Sequence, residues 1–262
     1  MSADVGFRWL WLLSPPLTGA QNMALDEALM LRAAERGERC VRVYEWARPT
    51  LSLGRNQIAR GHYDLARAEE LGIDIVRRLT GGRAVLHHRE ITYSLASPVD
   101  GFGDLRESCG VLNRILLNAL AQMSVSAEMA SPSGRTPVPD TLPCFDAAAP
   151  GEIVWEGRKL VGSAQVRHDG ALLQHGSILV EDDQQLACDL ALFPTATASR
   201  PATLFEQLGR APAASEFART FVAALGAATV DPVRPFTDHE SLMKSAEALQ
   251  QKYESDDWTW RH

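Results

Sequence analysis

Hydrophobic positions recur at helical spacing through LRESCGVLNRILLNALAQM (105–123), which predicts the longest helix of the chain. A second helix is predicted over 22–36, NMALDEALMLRAAER, with Asn22 as N-cap, acids in the first turn and Gly37 past its end. A third, YDLARAEELG (63–72), stops at Gly72. Between them, CVRVYEW (40–46) and TLSLG (50–54) are rich in β-formers and predict strands. IDIVRR (73–78) predicts another, followed by a Gly81-Gly82 turn and then by AVLHH and ITYSLAS. EIVWEGRKLVGSAQ (152–165) predicts a hairpin turning at Glu156-Gly157, and a turn at 168–170 leads into ALLQHGSILVE.

SPSGRTPVPDTLP (131–143) is a predicted loop. Past residue 183 the pattern turns helical, with Pro-rich joins at 194–202 and 211–213. Short strands on tight turns, with helices grouped before and after, predict an α+β fold of mixed, largely antiparallel sheets flanked by helices. Strict strand–helix alternation is absent, so a doubly wound nucleotide fold fits poorly. With neither repeat nor long linker, residues 1–262 are expected to form a single domain with a helical C-terminal segment from about 201.

Composition narrows the function. Apolar residues make up 45% and charged residues 23% of the chain, as a packed globular core requires. The net charge of −7 argues against a general nucleic-acid surface. No apolar run reaches membrane-spanning length, and the first residues lack a secretory pattern, so a cytoplasmic protein without a membrane partner is expected. Cys40, Cys109, Cys144 and Cys188 form no C-x-x-C pair, so no metal site is expected.

Four stretches carry candidate chemistry. In RRLTGGRAVLHHREITYS (77–94), Arg77, Arg78, Arg83 and Arg89 follow Ile75 with no acid among them, and Gly81-Gly82 lets a ligand approach the backbone. The patch is either a phosphate or acidic-partner site or an ordinary turn with solvated arginines. It is neither a P-loop nor a dinucleotide fingerprint. In GRKLVGSAQ, Lys159 precedes the small residues Gly162, Ser163 and Ala164. That lysine either fixes an anionic or carbonyl oxygen or lies at a solvated hairpin edge. Cys144 ends a Pro-rich loop, as a nucleophile or as a buried thiol. His175, beside Gly176, is either a strand-core imidazole or part of a site.

Taken together and in order, RRLTGGRAVLHHREITYS, GRKLVGSAQ and LLQHGSILVEDD resemble the catalytic domain of the biotin/lipoate protein ligase superfamily, and NMALDEAL and PTLSLGRNQ resemble its earlier segments. The likeness runs from about residue 8 to about residue 200. It implies the biotin/lipoate ligase type of α+β fold. Ligases of the family typically carry a third glycine after the pair, then His-Asp and Gly-Asn, and an Asn-Asp pair before the lysine strand. Here the chain has Gly81-Gly82-Arg83, then His87-His88, and PCFDAAAPGEIVWEGRK before Lys159. Those departures resemble the octanoyltransferases built on the ligase-like sequence, which use a cysteine in the matching Cys-Phe segment.

The resemblance therefore implies octanoyl transfer from octanoyl-acyl carrier protein, through a Cys144 thioester, to a lysine of a lipoyl domain or of the glycine-cleavage H protein, in lipoate biosynthesis. A thioester is already activated, so neither ATP nor another cofactor is expected. Lys159 would stabilise the carbonyl oxygen and lower the thiol pKa. Gly81 and Gly82 would line the acyl tunnel, Arg77, Arg78 and Arg83 would receive the carrier or its phosphate, and His87 and His175 would be further site residues. The protein is expected to act as a monomer. The rival is an ATP-dependent lipoate–protein ligase that forms a lipoyl-adenylate.

Overall fold

The computed structural model describes residues 8–99, 105–130, 151–193 and 200–262. Along the chain, β1 (Arg8–Leu13) leads to α1 (Gly19–Arg36), β2 (Glu38–Tyr44), β3 (Thr50–Leu53), α2 (Leu65–Glu70), β4 (Asp74–Arg77), β5 (Val85–His87) and β6 (Glu90–Pro98). Then come α3 (Leu105–Gln122), β7 (Glu128–Met129), β8 (Ile153–Trp155), β9 (Arg158–His168) and β10 (Ala171–Leu179). The remainder holds α4 (Gln185–Asp189), α5 (Leu204–Leu208), α6 (Ala214–Ala228), β11 (Arg234–Pro235), α7 (His239–Glu254) and α8 (Asp256–Thr259).

Two sheets result, one of eight strands in the order β11-β1-β2-β6-β10-β9-β8-β7, the other of three in the order β4-β3-β5. From β2 to β7 the large sheet is antiparallel, whereas β1 runs parallel to both β2 and β11. β6 and β10 sit at its centre and alternate their side chains between two cores. On one face Tyr93 packs with Leu116 of α3 and with Phe217 and Phe221 of α6. On the other, Leu25 and Met30 of α1 pack with Tyr44 and with Tyr253 of α7. The small sheet buries Leu51, Leu53 and Leu86 under Ala187 and Leu190. Because α1 also touches β4 through Val76 and Leu79, it joins the two sheets and sets the cleft between them.

The element that differs most from the sequence reading is α1. It begins at Gly19, capped by Thr18, whose hydroxyl and backbone N–H both engage Gln21 in a reciprocal capping box. Asn22 is not the N-cap. It lies inside the helix, fully buried, and its Oδ1 accepts from Arg42 Nη2 at 2.5 Å. No acid stands in the first turn; Asp26 comes two turns in. β1, RWLWLL, was not read as a strand. Its side chains are apolar almost throughout, because both neighbours are parallel and both of its faces are covered. Among the described residues no helix is long and apolar enough to cross a membrane.

Candidate active site

Where the two sheets meet, a cavity opens to solvent. Met23 of α1, Tyr44, Trp46 and Val85 give it an apolar wall. Gly162, Ser163 and Ala164 of β9 face it together with Gly176 of β10. Gly176 has no room for a side chain: a Cβ there would stand 2.6 Å from the Gly162 carbonyl and 2.7 Å from the Tyr93 ring. The central strands therefore form a smooth, narrow part of the wall.

The polar side of the cavity belongs to the turn after β4. Arg78 is a clip: Nη1 donates to the Ser52 carbonyl at 2.8 Å, and Nη2 to the carbonyls of Gly81 at 2.8 Å and Arg83 at 2.7 Å. It thereby fixes the Gly-Gly turn while lining the cavity. Gly82 lines the cavity with φ of 96° and packs its carbonyl against Gly54, where a Cβ would come within 1.9 Å. Gly81 is exposed at the tip of the turn, and of the two glycines Gly82 is the one among the cavity-lining residues. Arg83 is half-buried beside them.

Arg77 is not one of a set of solvated arginines. Being adjacent along extended backbone, Arg77 and Arg78 point to opposite sides. Arg77 is fully buried, donating to the carbonyls of Gly54 at 2.6 Å, Gln57 at 2.8 Å and Thr259 at 2.8 Å, and does not line the cavity. Arg89 also leaves the patch, pairing with Glu181 at 2.5 Å and Asp183 at 3.3 Å.

Two imidazoles line the cavity, each held by a buried carboxylate. His87 stacks on Trp46, its Nδ1 lies 2.8 Å from Glu90 Oε1 and its Nε2 lies 2.7 Å from Ser52 Oγ. Ser52 Oγ also accepts from Arg78 Nη1 at 3.0 Å. Thr92, itself accepting from Trp46 Nε1 at 2.7 Å, and Ser177 donate to the same Glu90 oxygen at 2.6 and 2.9 Å. His175 sets Nδ1 3.2 Å from Asp26 Oδ2 and Nε2 2.7 Å from Thr80 Oγ1, tying β10 to α1 and to the arginine turn. Burial holds His175 below the usual imidazole range. Burial opposes the charge of Asp26 too, but His175, Arg42 at 2.8 Å and Ser94 outweigh it, and its carboxyl stays below the usual range. The result is an ionised Asp26 and a neutral His175 that donates through Nδ1 and accepts at Nε2.

Lys159 lies on β9 but not among the cavity-lining residues. Its ammonium is buried and within 2.8 Å of Glu152 Oε1, not at a solvated hairpin edge. The bulge that leaves Leu160 unpaired on β9 interrupts the strand's alternation between Lys159 and Ser163; Ser163 Oγ lies 2.8 Å from Tyr93 OH, and Gln174 donates to that phenol at 2.9 Å. Cys144 lies outside the described residues. Of the other cysteines, Cys40 is sealed in the core and its thiol is pushed well up by burial; burial, with the charge of Glu152, also raises Cys109. Neither has the character of an activated thiolate. Sequence reasoning missed Asp26, Ser52 and Glu90. Asp26 had a detectable mark, an acid on the apolar side of α1 at helical spacing from Asn22, Met23 and Leu29.

A cleft between a large mixed sheet and a three-stranded one, with the Gly-Gly turn along one side, is a small-molecule cleft in an α+β domain. The chain belongs to the lipoyl protein ligase A/B catalytic domain family, whose model matches residues 18–226. An octanoyltransferase LipM of Kyrpidia tusciae is 37% identical over 275 aligned residues, covering 97% of this chain and 98% of its own. Another octanoyltransferase LipM, of Carboxydothermus hydrogenoformans, is 40% identical over 179 residues, covering 67% of this chain and 66% of its own. Among solved structures, a lipoate-protein ligase A bound with ATP has a TM-score of 0.78 at 21% identity, covering 97% of this chain and 98% of that one. The lipoate protein ligase-like Ta0514 of T. acidophilum with bound lipoic acid has a TM-score of 0.77 at 22% identity, covering 97% and 99%. These two likenesses establish the fold.

Proposed function

We propose that this chain is an octanoyltransferase of lipoate biosynthesis, taking its acyl group from octanoyl-acyl carrier protein and passing it through Cys144 to a lysine of a lipoyl domain or of the glycine-cleavage H protein. The observation that carries the reading is the likeness, over nearly the whole chain, to proteins named octanoyltransferase. The cavity supports it. Its wall of Met23, Tyr44, Trp46 and Val85 suits a hydrocarbon chain, and Gly162 and Gly176 place no side chain in its way.

In the first half-reaction the Cys144 thiolate attacks the thioester carbonyl, a new carbon–sulfur bond forms, and the carrier's thiolate departs and takes up a proton. In the second, the acceptor lysine's amine attacks the acyl-cysteine, an amide forms, and the cysteine sulfur leaves. The attacking nitrogen loses a proton, and the neutral imidazole of His175, which lines the cavity, has the chemistry to accept one. Lys159, which pairs with Glu152 at 2.8 Å, is read as the source of positive charge toward the thiol and the carbonyl oxygen once Cys144 and the acyl group are in place. No step needs ATP, a metal or another cofactor, because the thioester donor is already activated. The protein is read as cytoplasmic and monomeric, with no nucleic-acid or membrane partner.

The test is intact mass after mixing the purified protein with octanoyl-acyl carrier protein and no ATP. An octanoyl adduct on the wild type that disappears in Cys144→Ser is expected. Modification of a lipoyl domain only when ATP and free acid are given, and equally by Cys144→Ser, overturns the reading in favour of a ligase that proceeds through an acyl-adenylate.

A further inference from the structure

The inward turn of Arg77 leaves a second feature, on the side of β4 away from the cavity. The loop after β3, the end of β4 and the segment after α7 converge there. Arg60 Nε donates to the Trp260 carbonyl at 3.0 Å, Arg261 Nη2 donates to the Arg55 carbonyl at 2.6 Å, and the Arg261 guanidinium lies 4.2 Å from the centre of the Trp258 ring. Arg77 stands behind them. Arg55, Arg60, Arg77 and Arg261 thus share one corner of a chain whose net charge is −7.

Among the described residues no side-chain carboxylate forms an ion pair with any of these four; the His262 oxygen accepts instead from the backbone N–H groups of Ala59 at 3.2 Å and Arg60 at 3.0 Å. The buried Arg32 and Arg42, by contrast, hold Glu38 at 2.9 Å and Asp26 at 2.8 Å. The donors in the corner are also incompletely used: Arg77 Nη2 and Arg261 Nε are both buried and meet no acceptor. The charges near Arg77 oppose it as well. Burial, then Arg261 and Arg78, pull its guanidinium down to about 10. Burial and the charge of Arg55 lower Arg261 too. Like charges gathered with no side-chain acid paired to them, and with two buried N–H groups that meet no acceptor, carry a penalty that a bound anion reduces.

We infer that Arg55, Arg261 and, behind them, Arg77 form a phosphate-binding site distinct from the acyl cavity. Its ligand is a phosphate group, which offers several acceptor oxygens to guanidinium forks and neutralises more than one of them. The site flanks the cavity through the backbone. Arg55 N–H donates to the Thr80 carbonyl at 2.8 Å, and Gly54 abuts Gly82. Two sources share this chemistry. One is the phosphodiester by which a pantetheine arm joins its carrier protein, and that assignment alone rests on the transferase reading. The other is free inorganic phosphate acting as a stabilising ion.

The experiment uses the full chain and two measurements. In the first, thermal unfolding is followed as sodium phosphate replaces sodium chloride at fixed ionic strength. A saturable rise in midpoint is expected for the wild type and for Arg67→Gln, whose exposed side chain pairs with Glu70 elsewhere. The rise should vanish in Arg55→Gln/Arg261→Gln. The phosphate-dependent increment is read, so a lower starting midpoint in the variant does not matter. No increment in the wild type, or an equal one in the double variant, overturns the site.

In the second, acyl-enzyme formation is timed with octanoyl-acyl carrier protein and with octanoyl-pantetheine, which lacks the phosphate. A KM about tenfold higher in the double variant for the carrier alone assigns the site to the donor's phosphodiester. Unchanged KM values for both donors, with the phosphate increment intact in the wild type, overturn the carrier source and leave the inorganic ion as ligand. Failure of the wild type to form an adduct with either donor refutes the transferase reading and leaves the first measurement standing.

Discussion

Asp26 and Arg42 form an ion pair almost wholly withdrawn from water. Removing both charges for matched apolar groups is far less harmful than removing one, because a lone buried charge keeps its desolvation penalty without its partner. Asp26→Asn is therefore expected to lower unfolding free energy by about 3 kcal/mol, read by urea titration. Asp26→Asn/Arg42→Met should recover part of that loss. If the double variant is as unstable as the sum of its singles, the pair is not coupled as the 2.8 Å contact requires. Reading the sequence found the arginine turn but not the direction of its members. Strand alternation alone forbids neighbours such as Arg77 and Arg78 from meeting one ligand together, and that rule was available before any coordinates. The partner of Lys159 was not: Glu152 reaches it across the β8–β9 hairpin, whose register has an irregularity at Ile153/Val154.

The strands were legible in the sequence because glycine and acidic turn residues mark their ends. The β8–β9 hairpin turns at Glu156 and Gly157, both with positive φ, and the next turn uses Asp169 and Gly170 in the same way. Helix ends were less legible. Asn22 resembled a cap only because the real box, Thr18 and Gln21, sits just beyond a Pro-Pro pair that suggested irregular chain. β1 carried no alternation to read, since parallel partners on both sides bury it. At the centre of the sheet, packing leaves testable room for error. Gly176→Ala would force a methyl to within 2.6 Å of the Gly162 carbonyl and 2.9 Å of Ser163 Oγ. It should cost about 1–3 kcal/mol, seen as a lower unfolding midpoint, and should narrow the cavity so that a shorter acyl donor outcompetes octanoyl in adduct formation. Retention of both stability and chain-length preference would show that β9 and β10 separate more easily than their register implies.

At the scale of the whole molecule, α1 joins the two sheets through one proton-sensitive joint. His175 on β10 bonds to Asp26 of α1 on one side and to Thr80 of the arginine turn on the other, so its ring links the large sheet, the connecting helix and the turn along one side of the cavity. Because burial lowers its pKa, the folded chain binds its proton less readily than the unfolded chain, where the value is about 6.5. The contribution of neutral His175 is thus complete above about pH 6.5, and it is lost progressively as the pH falls from there toward the lower value of the folded state. Asp26, whose pKa is also depressed, contributes in the same sense but only at more acid pH, below about 4. Two steps of acid destabilisation follow, in separate windows. His175→Gln should be less stable than the wild type at pH 7.5, and the gap should shrink as the pH is lowered to 5, since glutamine has no proton to gain. Urea midpoints taken across that range decide it. A gap that stays constant with pH would mean that His175 is protonated equally in both states, and that the joint between the sheets is held by packing rather than by the neutral imidazole.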